Sequence, residues 1–122
     1  MVNFGAEDSV PARFNGRKLY RHNPSVTLMR TTSSECEEIG RRIGEHLAHA
    51  HGPVTLLLPL KGVSMLDAEG QPFHDPAADR ALFDSLRRHG GPKVTTRELD
   101  LHINDDAFAD ALADAMLDLL RS

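Results

Sequence analysis

Three short polar segments hold the side chains best suited to chemistry, and each directly follows an apolar run. The first is Arg30-Thr31-Thr32-Ser33-Ser34, after Val26-Thr27-Leu28-Met29. The second is Lys61-Gly62-Val63-Ser64, after Val54-Thr55-Leu56-Leu57-Leu58-Pro59-Leu60. The third is His102-Ile103-Asn104-Asp105, after an alternating stretch that includes Leu99 and Leu101. Arg30 carries the planar guanidinium that grips a carboxylate or phosphate, and Thr31 and Thr32 stand where a helix would present its first free N–H groups. Gly62 frees the backbone to turn N–H groups inward, while Lys61 supplies charge and Ser64 a hydroxyl. His102 and Asn104 add polar groups for a pocket wall. The same residues serve equally as helix caps and tight turns. The Lys61 segment lacks the glycines of a full phosphate loop, and Ser64 lacks the flanking glycines of a hydrolase nucleophile.

His74-Asp75, together with His102 and Asn104-Asp105, is the one set from which a metal or acid–base site could be drawn, since two imidazoles and a carboxylate suit zinc or iron. These residues come from separate loops, and Asp75, Asn104 and Asp105 are also wanted as helix caps. No metal ligand set and no catalytic residue follow from the spacing. Asp67, ahead of Gly70, either holds a ligand hydroxyl or closes an Asx turn. Cys36 falls on the apolar face of a helix, as a small core residue.

The elements around these segments follow from periodicity. Residues 1–24 hold Pro11, Asn15-Gly16 and Asn23-Pro24, all turn signals, and read as an extended N-terminal arm. Residues 25–122 read as a single α/β domain, a partial domain of something longer. Val26–Met29 is its first strand. A helix capped by Thr32 or Ser34 follows, with Cys36, Ile39, Ile43 and Leu47 as its buried stripe. Gly40 and Gly44 beside that stripe let the helix approach a sheet closely. Val54–Leu60 lacks alternation, as a strand buried on both faces does. Asp75 and Pro76 open a second helix that runs to about Arg88, and Gly90-Gly91-Pro92 ends it. A third strand lies between Lys93 and Ile103, and Asn104 or Asp105 caps a last helix with a broad apolar face. The order is β-α-β-α-β-α, which implies a small three-layer, Rossmann-like open parallel sheet. Its ligand crevice lies beyond the carboxyl ends of the strands, where all three polar segments fall.

Composition narrows the function class. With 40% hydrophobic and 26% charged residues, 122 residues make one modest core. A net charge of −4 supplies no positive field for a nucleic-acid backbone. One cysteine excludes an intrachain disulfide and suits a reducing compartment. The first residues show no signal peptide and no run is long enough to span a bilayer, so a cytoplasmic protein with no membrane partner is expected.

The polar segments also carry a resemblance. Asn23 to Thr32, Leu58-Pro59-Leu60-Lys61-Gly62-Val63-Ser64, Gln71-Pro72-Phe73-His74-Asp75-Pro76 with Asp79 and Leu82-Phe83, and His102-Ile103-Asn104-Asp105 with Phe108-Ala109 together resemble the C-terminal part of the Tm-1-like, UPF0261 family. Met1-Val2-Asn3-Phe4-Gly5 is similar to an internal stretch of that family. The resemblance implies a longer parent of two α/β domains. It implies ATP as a ligand, because the plant member, an antiviral resistance protein, binds ATP through its N-terminal region. Arg30, Lys61, Gly62 and Ser64 would then face the phosphates. The expected function is a small-molecule or nucleotide-binding domain with Arg30, Thr31, Thr32, Lys61, Gly62, Ser64, His102 and Asn104 at its site. The partners expected are that ligand and either further copies in a homo-oligomer or a missing N-terminal region. The alternatives are a structural or oligomerisation domain without a ligand, and part of a metal-dependent hydrolase.

Overall fold

The computed structural model describes residues 1–122, and the chain divides into two compact units, Met1–Thr32 and Ser33–Ser122. In the first unit, strands β1 (Val2–Phe4), β2 (Leu19–Asn23) and β3 (Val26–Met29) form one antiparallel sheet in the order β1-β3-β2. Met29 faces Val2 on one side and Leu19 on the other. Single 3-10 turns at Glu7–Ser9 and Ala12–Phe14 fill the connection between β1 and β2. The Phe4 and Phe14 rings stack in a tilted pair 5.6 Å apart, and the Arg13 guanidinium lies 4.8 Å over Phe14.

The second unit holds α1 (Ser33–Ala48), β4 (Val54–Pro59), α2 (Pro76–His89), β5 (Val94–Leu99) and α3 (Asp106–Arg121). β4 and β5 pair in parallel, from Val54 opposite Val94 to Pro59 opposite Leu99. A parallel pair needs a crossover, and α2 supplies it. Leu58 of β4 packs with Phe83 and Leu86 of α2, and Leu56, Val63 and Leu82 surround them. α2 starts as its sequence dictates: the Asp75 carboxylate accepts the Ala78 N–H at 3.1 Å and Pro76 opens the helix.

A single open parallel Rossmann-like sheet in β-α-β-α-β-α order is therefore not what forms. There are two separate sheets, one antiparallel and one parallel. The reason lies in Asn23-Pro24-Ser25. The Asn23 side chain accepts the Ser25 N–H at 2.8 Å, which closes a tight turn between β2 and β3. A strand entered from so short a turn runs antiparallel to the one before it. Val26–Met29 is thus the centre of a three-stranded antiparallel sheet rather than the first strand of a βαβ series, and residues 2–4 and 19–23 are strands in it.

Two smaller expectations also change. Gly40 and Gly44 serve a helix–helix contact, not a helix–sheet one: a Cβ at Gly40 would lie 2.7 Å from the Leu82 carbonyl oxygen and from Ser85 Cβ, and one at Gly44 would lie 2.8 Å from His89 Cβ. The face of α1 that meets α2 is Cys36-Gly40-Gly44, all buried, and this leaves Ile39 at 39% and Ile43 at 43% exposure. The third strand ends at Leu99, so Leu101 and Ile103 belong to the connection into α3.

Candidate functional site

The chain leaving β4 at Leu60 does not diverge from the chain leaving β5. The Lys61 N–H donates to the Leu101 carbonyl at 3.0 Å, and the Ile103 N–H donates to the Gly62 carbonyl at 3.0 Å. The two loops at the carboxyl end of this sheet are stitched together by main chain before any side chain is considered.

Gly62 makes the first sharp turn, at φ +136°, a conformation open to glycine and costly for other residues. The loop then folds back, with the Asp67 N–H on the Ser64 carbonyl at 2.9 Å. Asp67 is 1% exposed. One of its carboxylate oxygens accepts the Val63 N–H at 3.1 Å and the other the Asp75 N–H at 3.3 Å. A buried carboxylate is tolerable when backbone N–H groups satisfy it in this way. It ties both ends of the loop to the start of α2. Phe73, also 1% exposed, anchors the loop's far end.

His102 closes the arrangement from the β5 side. Its Nε2 lies 2.8 Å from the Ser64 carbonyl and 3.2 Å from the Asp67 carbonyl, and its Nδ1 receives the Asn104 N–H at 3.2 Å. Two carbonyls on one nitrogen and an N–H donor on the other fix a single neutral tautomer, protonated on Nε2. Asp105 gives its carboxylate to the His102 N–H at 2.9 Å and makes no side-chain cap on α3.

In front of this wall lies a cleft of about 680 Å³ lined by Leu60, Lys61, Ala68, Glu69, His74, Pro76, Asp79, His102 and Asp105. That volume suits a small-molecule ligand. Its charge is mixed: Lys61, loosely paired with Asp100 at 4.0 Å, shares the lining with Glu69, Asp79 and Asp105. Asp79 is 5% exposed. The Nδ1 of His74 is shielded from solvent and has no hydrogen-bond partner. No three His, Cys, Asp or Glu side chains come close enough together to hold a metal ion.

Of the residues singled out from sequence, Lys61 and His102 line the cleft. Gly62 and Ser64 stand in the wall behind it, the Ser64 hydroxyl accepting the Leu66 N–H at 3.2 Å. Asn104 contributes its backbone to His102 and is exposed. Arg30, Thr31 and Thr32 belong to the first unit. There the Arg30 N–H donates to the Lys18 carbonyl at 3.0 Å, its carbonyl accepts from the Arg17 guanidinium at 2.9 Å, and its own guanidinium donates to the Thr31 hydroxyl at 3.3 Å. Arg30 and Thr31 are both buried. Sequence reading did not pick Glu69 or Asp79 as pocket residues. Asp79 had a usable signal, since it sits one helical turn after the cap Asp75 and on the same side. Glu69 had none, because it lies mid-loop.

A family model described as Uncharacterised protein family (UPF0261) C-terminal domain matches residues 1–120. A UPF0261 protein of Rhizobium meliloti is 52% identical over 121 residues, which are 98% of this chain and 30% of that protein. One from Clostridium tetani is 46% identical over 98% of this chain and 30% of its own length. The ToMV resistance protein Tm-1(GCR237) of Solanum lycopersicum is 41% identical over 98% of this chain and 16% of its own length. The chain thus spans less than a third of the length of the curated relatives it matches.

Proposed function

The chain belongs to the UPF0261 family, and from that premise we propose that it is a ligand-binding part of a small-molecule-binding protein, with its ligand in the cleft at the carboxyl ends of β4 and β5. The observation that carries the reading is the cleft itself. A loop of fourteen residues, 61–74, is tied down by Asp67 and His102, and it borders an open cleft of about 680 Å³ with titratable groups around it. The unpaired Nδ1 of His74 supports the same reading, because an unmet buried hydrogen-bonding atom costs about 1–3 kcal/mol and such groups concentrate at sites of function.

The lining narrows the ligand. Glu69 and Asp105 against Lys61 leave the lining no excess of positive charge to draw a bare polyanion. They accept hydroxyl and amino donors, as a ribose or an amino sugar would present. ATP, the nucleotide implied by the family resemblance, fits with its sugar or base among Asp79, Asp105 and His102 and its phosphates toward Lys61, accompanied by a divalent counter-ion. Titration calorimetry with magnesium ATP and with adenosine tests this. Binding at micromolar to millimolar concentration that weakens about tenfold in Asp79→Asn supports it, a loss of about 1.4 kcal/mol. Absence of heat with both compounds overturns the nucleotide reading.

We take the protein to be cytoplasmic. Its one cysteine, Cys36, is free and buried, and no helix is long and apolar enough to cross a membrane. A second reading, an assembly domain completed by further copies or by an N-terminal region, draws on the exposed apolar residues of α3.

A further inference from the structure

We infer that the cleft continues into a second recess along α2, and that Arg80 receives the anionic end of the ligand there. The ligand is then a hydroxyl- or amino-bearing body with a phosphate or carboxylate at one end. This rests on the reading of the cleft as a ligand site, and it adds where the charged end of that ligand goes.

The recess has a volume of about 370 Å³ and adjoins the cleft, because Leu60, Pro76 and Asp79 line both. Its helical side is one face of α2, where Pro76, Arg80, Asp84 and Arg87 follow one another at helical spacing. Phe83 on the same side is 4% exposed and packs in the core with Leu58 and Leu86. The recess is thus built on a helix that the core holds in place, and a site on such an element keeps its geometry better than one on a loop.

Charge separates Arg80 from the other arginines of α2. Arg87 donates to Asp84 at 2.6 Å and is paired with Glu98 of β5. Arg88 reaches Glu37 of α1 at 3.2 Å. Both lie in the last turn, where the helix dipole favours a cation. Arg80 lies just past the first turn, where the dipole offers a cation nothing. Its side chain is exposed, and it makes no ion pair: Asp84, one turn further on, spends its carboxylate on Arg87.

Lys61, the cation of the cleft, is committed as well. It has Asp100 at 4.0 Å and shares its lining with Glu69 and Asp105. Of the cations bordering the two spaces, Arg80 is the one whose charge is unspent. A guanidinium presents a planar fork of N–H donors that fits a carboxylate or a phosphate with two parallel bonds. The body of the ligand and its charged end are therefore served by different walls. A nucleotide meets the same demand: Leu60, next to Lys61 in the chain, lines both spaces, so phosphates that pass Lys61 lead over Leu60 to Arg80.

Titration calorimetry tests this with two sets of probes that differ at one end alone. One set is adenosine, its 5′-phosphate and its 5′-carboxylic acid. The other is glucose, glucose 6-phosphate and glucuronate. In at least one set a charged probe should bind about tenfold more tightly than its neutral parent, the gain of one charge-assisted fork. The larger gain tells phosphate from carboxylate. Arg80→Ala should remove the gain and leave the affinity of the neutral parent unchanged, which also shows that the variant is folded. Arg80→Lys should keep part of it. Lys93→Ala removes a cation just before β5, at the other end of the sheet, and should change nothing. A gain that survives Arg80→Ala, or that Lys61→Ala or Lys93→Ala removes just as well, overturns the inference. Neutral and charged probes binding alike overturn it too, while the cleft remains a ligand site. No binding by any probe overturns both.

Discussion

His102 Nε2 lies 2.8 Å from the carbonyl oxygen of Ser64, thirty-eight residues earlier in the chain. This bond joins the loop after β4 to the loop after β5, and it uses the imidazole's only proton. The Nδ1 is occupied by the Asn104 N–H. His102 therefore lines the cleft as a fixed strut with no nitrogen left over for proton transfer in this geometry.

Replacing His102 by Ala should cost about 1–2 kcal/mol, since it leaves the Ser64 carbonyl and the Asn104 N–H without their partner. Urea denaturation followed by circular dichroism measures it. The loss should fall mainly on the loop: amide exchange at residues 61–74 should speed up more than exchange in α1. Uniform acceleration across the chain would show that His102 acts on the whole core and not on the cleft wall.

Gly62→Ala should be far more severe, at about 3 kcal/mol or more. The left-handed φ of +136° is strained for alanine, and the new Cβ would overlap the backbone carbonyl oxygen of Asp67, which cannot swing aside. A melting temperature within a few degrees of the parent would show that the 61–67 turn has another conformation available. Gly70→Ala is the informative control. It too has positive φ, at +82°, but open space around it, so only the smaller conformational penalty applies.

These two residues also show what the sequence could and could not reveal. Gly62 was readable as a turn because glycine after an apolar strand has few other uses. The location of a cleft beyond β4 and β5 was readable because parallel strands joined by a helix place their loops at one end. Val26–Met29 has the composition of the first strand of a parallel series, but the Asn23 side-chain turn makes it the centre of an antiparallel sheet, and that two-residue connection is visible in Asn23-Pro24-Ser25. Asp67 could not be placed from sequence, since its partners Val63 and Asp75 are linked to it only by the folded loop. The α1 stripe was misplaced for a related reason. Ile39 and Ile43 look like core by hydrophobicity, but the glycines permit the closer contact and so choose the buried face.

The α1–α2 contact predicts opposite pulls at Gly40. Alanine in a helix interior is favoured over glycine by about 1 kcal/mol. Here its methyl would sit 2.7 Å from Ser85 Cβ and from the Leu82 carbonyl oxygen, and overpacking of this kind costs about 1–3 kcal/mol. The clash should win, with Gly40→Ala lowering stability in a denaturant titration. Ser85→Ala, which removes the 2.6 Å bond to the Glu37 carbonyl, should cost about 1 kcal/mol. The double variant should recover little, because Leu82 and Ser85 Cβ remain. Full recovery would mean that the Ser85 hydroxyl alone sets the helix spacing.

Acid should reach α1 through Glu38. Its carboxylate accepts from Arg41 at 2.6 Å and from Arg42 at 2.9 Å, and these bonds, that to Arg41 foremost, hold its pKa at about 2 against an ordinary 4.5. Arg41, bonded to Glu38 and Glu45, is shifted up in turn. A carboxyl lowered on folding gives stability that is fully present above the unfolded value of 4.5 and declines as pH falls toward 2. The group is solvent-exposed, so water and salt screen the pair and the effect should be small. Glu38→Gln should therefore melt slightly below the parent at pH 7, the gap closing between pH 4.5 and about 2. Molar salt at pH 7 should close it as well. A gap that survives both treatments would locate the contribution of Glu38 in the second acceptor oxygen that it offers Arg41, which the amide lacks, and not in its charge.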